Sequence, residues 1–447
     1  MVCAPLVPVD PPMSLSLTRF AFLAALALPL PALAGTYYIA PPPAGDDGNP
    51  GTESQPWATL QHAADTIGPG DTVLVRAGNY AGAQFTTSGT SSAPIVLEAY
   101  PGETPAITSD NESTPDGINL EGASWMTVQG FNVSNRSRAG IRAVTCEHVT
   151  IRDNTTDGNF KWGIFTGFCD DLLIKDNVTS NSVDEHGIYV SNSGDRPTIR
   201  GNVTFGNNDC GIQLNGDASE GGDGIISDAV IEGNIIHDNN LGTGGSAINM
   251  DGVQDSLIAN NLLYDNHSSG ISLFQDDGGG PSSGNRVLNN TVLVASDGRW
   301  ALNIQDGAVD NTVENNILWN YHSYRGSLDI SEDSLPGFHS DYNAVMDRFT
   351  TDDGDSILTL AEWQQQTGQD AHSFVTTPDA LFVDVADDNY QLSPSSPAVD
   401  AGTTLQDVTT DIVGVTRPQG PAYDIGAYEL PSGPPPDPIF ANGFDSP

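Results

Sequence analysis

Short runs in which aliphatic and polar side chains alternate recur along the middle of the chain, as in Ile188 and Val190, Ile212 and Leu214, or Ile248 and Met250. This two-residue period belongs to strands and not to helices. Eight copies open on a small residue followed by an aliphatic one: Gly117-Ile118, Gly140-Ile141, Gly163-Ile164, Gly187-Ile188, Gly211-Ile212, Ala247-Ile248, Gly270-Ile271 and Ala301-Leu302. Successive starts lie 23, 23, 24, 24, 36, 23 and 31 residues apart. A second aliphatic run then ends in Asn, as at Asn154, Asn177, Asn202, Asn234, Asn261 and Asn316. Gly, Asn and Asp, which tolerate left-handed turns, separate the runs. A fixed period of this size marks a solenoid, whose single repeat cannot bury its own apolar face. Each copy is therefore expected to form one coil of two or three short strands, with parallel sheets arising from the stack. The long steps place inserted loops at Asp217–Asp228 and Asp276–Gly284.

Over roughly Tyr37–Leu430 this pattern resembles the right-handed parallel β-helix repeat proteins of the pectate lyase-like superfamily. The resemblance implies an all-β, single-stranded right-handed parallel β-helix with an N-terminal capping helix. It leaves the activity open, because fold does not fix function. The helix is expected over residues 57–67, where Trp57, Leu60, Ala63, Ala64 and Ile67 share one face. Such a helix would cover the open end of the solenoid. A second short helix is expected around Leu358–Trp363. The segments Ser396–Gly402 and Asp424–Glu429 resemble closing segments of the same family. The chain thus divides into 1–34, 35–116 (cap and first coils), 117–320 (core repeats), 321–430 (closing region) and 431–447 (a Pro-rich disordered tail). Residues 1–34 read as a signal peptide, with Arg19, an apolar run from Phe20 to Leu30 and an Ala32-Leu33-Ala34 cleavage site. The expected location is outside a bacterial cell, secreted or at its surface, with no membrane insertion.

Charge narrows the partners. Lys and Arg number 15 against 58 Asp and Glu, a formal net charge of −43. That excludes nucleic acid, whose recognition needs cationic side chains. A soluble monomer is expected. An acidic polysaccharide, the expected partner, would then need positive charge concentrated locally.

Alignment on the Gly-Ile pair sorts side chains into columns whose neighbours should lie about 4.8 Å apart, the spacing of strands in a sheet. Two residues before the Ile's Gly stand Arg138, Lys161, Glu185 and Asp209; one before stand Trp162, His186 and Cys210. Two after the Gly, pointing outward if Ile points inward, stand Arg142, Phe165, Tyr189 and Gln213, with Asn215 two further along. This outer wall carries the candidate chemistry. Lys161, His186 and Tyr189 are the candidate proton-transfer groups. Arg138, Arg142, Trp162, Phe165, Gln213 and Asn215 are the candidate substrate-binding residues. Asp184, Glu185 and Asp209 could hold Ca²⁺, a hard cation suited to carboxylate oxygens. Opposite charges stacked along a solenoid can equally well neutralise one another.

The resemblance brings no complete catalytic motif. Its polygalacturonase branch uses paired aspartates with Gly-His-Gly and Arg-x-Lys. Asp170-Asp171 and Asp276-Asp277 are pairs and His186-Gly187 is half a motif, but no Arg-x-Lys is present. The lyases' aspartate cluster is not matched, and the epimerases' Asp-Pro-His is absent. The leading expectation is an exported lyase that cleaves a uronate-containing polysaccharide by β-elimination. The alternatives are a non-catalytic glycan-binding or adhesive solenoid and a glycoside hydrolase. Cys146 and Cys169 hold the same place in adjacent coils, within disulfide reach; a bond and two stacked thiols both fit the spacing.

Overall fold

The computed structural model describes residues 34–433 apart from Thr243, together with Met1. The expected signal peptide and the expected tail fall almost wholly outside these residues. The described chain winds into a parallel β-helix of about twelve coils, built from three sheets of 12, 11 and 12 strands. Sheet 1 runs from Thr36–Ile39 to His339–Asp341, sheet 2 from Ala83–Phe85 to Phe349–Thr350, and sheet 3 from Gly78–Ala81 to Phe374–Val375. The sheets thus extend past both ends of the recognisable repeat: Ala83 already pairs with Ile118.

The alternation sets which side chains point inward. Ile118, Ile141, Ile164, Ile188, Ile212, Ile248 and Ile271 stack in register on sheet 2, all wholly buried. Each is worth roughly 1.5–3 kcal/mol relative to an exposed position.

The turn from sheet 1 to sheet 3 explains the recurring Asn. Asp153, Asp176, Asn260, Asn289 and Asn315 all have φ between 52° and 59°, and Gly201 and Gly233 sit at 66° and 65°. Gly, Asn and Asp enter this left-handed region most readily. The Asn that follows each turn is buried. Its side-chain amide donates to the next coil's Asn side chain, from Asn154 through Asn177, Asn202, Asn234, Asn261, Asn290 and Asn316 to Asn343, at 2.9–3.2 Å. The coils are thereby joined by side-chain as well as backbone hydrogen bonds.

Both ends are covered. Helix α1 (Leu60–Thr66), capped by the Thr59 hydroxyl, buries Leu60, Ala63 and Ala64 in the core beside the first strand of sheet 2. Helix α2 (Leu360–Thr367) starts in a Thr359/Glu362 capping box and stacks Trp363 on Phe349 of the last sheet 2 strand, with ring centroids 5.3 Å apart. After an antiparallel pair at Phe382–Asp384 and Asn389–Leu392, the chain returns along the solenoid. There it is pinned by the turn residues Asn260, Asn289 and Asn315, which donate to the carbonyls of Thr410, Asp424 and Thr403. Cys146 and Cys169 form a disulfide between adjacent coils. No helix among the described residues is long and apolar enough to cross a membrane.

Candidate functional site

The outward wall of sheet 2 gathers the predicted side chains where the strands holding Phe165, Tyr189 and Gln213 lie side by side. Trp162 and Phe165 stack with centroids 4.4 Å apart, and Tyr189 meets Phe165 edge-on at 5.4 Å. His186 packs against Tyr189 at 5.0 Å. Glu185 organises the polar part, taking the Lys161 ammonium on one oxygen and the Trp162 indole N–H on the other, the latter at 2.6 Å. Lys161 Nζ lies 5.2 Å from the centre of the Trp162 ring. The pair Lys161–Glu185 and the rings of Trp162, Phe165 and Tyr189 thus form one contiguous patch.

Electrostatics divide the roles. Burial lowers the His186 pKa, and the nearby Lys161 adds to this against Asp209 and Glu185, so the ring is held neutral at pH 7. Its Nδ1 accepts the Cys210 backbone N–H at 3.2 Å, which assigns the ring proton to Nε2. In that tautomer the Nε2–H lies 3.9 Å from Glu185 Oε2, beyond hydrogen-bond reach. Burial also raises the Tyr189 pKa, with Glu185, Asp217 and Asp277 adding to it against a hydrogen bond with Ser191. The phenol therefore keeps its proton, as a group that must donate one requires. Asp217 and Asp277 belong to the two inserted loops, which bond to each other through Ala218 N–H to the Asp277 carbonyl at 3.1 Å.

The remaining predicted residues are engaged within the protein. Arg138 makes a bidentate pair with buried Asp116 at 2.9 and 2.7 Å. Arg142 donates to Asn119 and Glu121 while lying 6.0 Å from the Phe165 ring centre. Gln213 accepts from Asn249 at 2.8 Å and is linked to Asn215, and both are buried. Asn249 extends this polar row by one coil, which the Gly-Ile columns already place beside Gln213.

The three carboxylates proposed for calcium are not brought together. Glu185 is taken by Lys161 and Trp162, and Asp184 is exposed. Asp209 lies instead with His186 and Cys210, whose ligand atoms are all within 4.8 Å of one another. A set with a single carboxylate beside an imidazole and a thiol does not suit a hard cation that prefers six to eight oxygens. Burial pushes the Cys210 thiol well up, so it is not a thiolate. These residues do not fit calcium.

A three-sheet parallel β-helix with this course is the fold of the pectate lyase-like proteins. Residues 37–290, more than half of the chain, match the family described as Pel9A-like, right handed beta helix region, and the chain belongs to that family. It is 25% identical over 436 residues to the Bacillus subtilis (strain 168) protein named Uncharacterized protein YwoF, covering 81% of this chain and 92% of that one. A shorter stretch of 86 residues is 41% identical to pectate lyase PEL9 of Emericella nidulans, covering 19% of this chain and 20% of that one. The crystal structure of pectate lyase Pel9A superposes with a TM-score of 0.60 at 16% identity, over 89% of this chain and 97% of that one.

Proposed function

We propose that the protein is an exported polysaccharide lyase acting on a uronate-containing polymer by β-elimination at the Lys161–Tyr189 wall. The observation that carries this reading is the pairing, on one patch, of a carboxylate-held lysine with a protonated tyrosine beside stacked aromatic rings. Membership of a Pel9A-like family and the local likeness to a pectate lyase support it.

In the proposed step, Lys161 gives a proton to solvent and its free amine then takes the proton α to the sugar carboxyl. The electrons left behind form the ring double bond as the glycosidic C–O bond breaks. Tyr189 gives its proton to the leaving oxygen, and Glu185 steadies the ammonium formed on Lys161. Trp162 and Phe165 supply apolar faces for the sugar rings. His186 positions the patch through its ring contact with Tyr189.

The test is incubation with pectate and alginate, with and without chelator. Ultraviolet absorbance from unsaturated uronate identifies a lyase. New reducing ends without that absorbance identify a hydrolase, and retention alone identifies a binder. Lys161→Ala and Tyr189→Phe are expected each to lose on the order of 10²- to 10⁴-fold in rate with unchanged melting. Lys175→Ala, on sheet 1, is expected to lose none. Wild-type rates in both site variants would place the chemistry elsewhere.

A further inference from the structure

Cations in this chain are scarce, and most of those among the described residues are neutralised. Arg76, Arg136, Arg138, Arg142, Arg152, Lys161, Lys175, Arg196, Arg200, Arg286 and Arg417 each have a carboxylate oxygen within 4.0 Å. The remaining Lys and Arg among the described residues are Arg299, Arg325 and Arg348, and none of them has such a partner. These three sit together. Arg348 donates to the Arg325 carbonyl at 3.3 Å and to the His322 carbonyl at 3.0 Å, while Arg325 donates to the Gly298 carbonyl at 3.3 Å, next to Arg299. Arg299 bonds to the Gly245 carbonyl at 2.6 Å and to the Ser268 hydroxyl at 2.9 Å.

Neutral carbonyls and a hydroxyl therefore take the hydrogen bonds of the guanidinium groups, with no carboxylate oxygen within 4.0 Å of them. A chain with 58 acidic side chains has ample means to neutralise three arginines. Nearby His322 senses their charge: burial first, then Arg325 and Arg348, lower its pKa against the opposing charge of Asp297. Each guanidinium has five N–H donors in a planar fork that matches a carboxylate, and the bonds to protein leave several unused. Tyr321 and Tyr324, exposed by 40% and 48%, are the sequence neighbours of His322 and Arg325.

Position links the cluster to the proposed site. Register carries the strand at Ile164 through Ile188, Ile212, Ile248, Ile271 and Leu302 to Leu328. Six strand spacings amount to roughly 29 Å along one edge of sheet 2. Gly245, whose carbonyl holds Arg299, is packed against Asp209 and Cys210, where the candidate patch ends.

We infer that Arg299, Arg325 and Arg348 form an anion subsite that binds carboxylates of an acidic polysaccharide laid along the sheet 2 edge, several coils from the Lys161–Tyr189 wall. This inference deepens the lyase reading and rests on it for the choice of polymer.

The test is calorimetric binding to the Lys161→Ala protein, which keeps the oligomer whole. The probes are an oligogalacturonate long enough to span both patches and its fully methyl-esterified form. Arg299→Gln, Arg325→Gln and Arg348→Gln are each expected to weaken binding of the acid form by roughly tenfold or more, the scale of a charge-assisted hydrogen bond. Binding of the ester is expected to stay unchanged. Arg325→Lys keeps the charge and should retain most of the affinity, which guards against a merely structural loss. Unchanged affinity in all three Gln variants overturns the inference, and so does an equal loss for acid and ester. A wild-type Lys161→Ala rate with arginine-dependent binding sinks the lyase chemistry alone. Lys161-dependent cleavage with arginine-independent binding sinks the subsite alone.

Discussion

Asp329 shows what a single residue costs this wall. It lies in the same outward column as Tyr189 and Gln213, further along sheet 2, yet it is only 1% exposed. Neither carboxylate oxygen finds a hydrogen-bond partner of good geometry. Burial, then the charge of Asp353, pushes its pKa from an ordinary 3.8 up to about 7, with Gln305 and Arg325 acting against the shift. The folded chain thus holds this proton more tightly than the unfolded one. The contribution to stability is neutral below pH 3.8, grows unfavourable as pH rises to about 7, and is constant above that. Its full size is on the order of a few kcal/mol. Asp329→Asn is therefore expected to melt higher than the parent at pH 8, with the gap closing towards pH 4; parallel melting curves across that range would show an ordinary carboxyl. At this scale the columns are legible in the sequence because strand spacing is fixed, which is why Lys161, Trp162, Phe165 and Tyr189 could be placed together. The destinations of long side chains are not. Arg138 reaches Asp116 in the previous coil and Arg142 reaches Glu121, choices made by rotamers that no spacing records.

At the scale of the element, the Asn rows tie one coil to the next. Asn202 illustrates the arrangement: it accepts from the backbone and side-chain amides of Asn177, and donates to the Ile174 carbonyl and to Asn234. Asn202→Ala would leave the Asn177 donors buried and unpaired, at about 1–3 kcal/mol for each orphaned group. Calorimetry is expected to show a loss of about 3 kcal/mol or more, whereas Lys175→Ala, at a half-buried surface position, should stay within about 0.5 kcal/mol. The repeat was readable from residue 117 onward because Gly-Ile and the terminal Asn recur there. The earlier coils carry no such mark: Thr72–Val75 and Ile95–Ala99 pair in sheet 1 as regularly as any later strands, but beside the cap their turns use different residues.

The whole molecule adds contacts that periodicity cannot foretell. Residues of the returning segment meet turn residues about 90 to 160 positions away, as in Thr403 with Asn315 and Arg417 with Asn260. The segment is itself braced by the fully buried pair Arg417–Glu429 at 3.0 Å. Stacked repeats ordinarily contact only their neighbours and can separate from an end, one after another. Here a single segment crosses the turns that follow three successive sheet 1 strands, at Asn260, Asn289 and Asn315. Under mechanical load this changes the geometry of failure. A pull on the C-terminus loads the crossing bonds together, in shear, before the last coil can peel away. In a single-molecule pulling experiment the first rupture should release the segment as one event at high force, with a staircase of small coil-sized steps following it. Arg417→Met, which unties the brace, should make the staircase begin at low force.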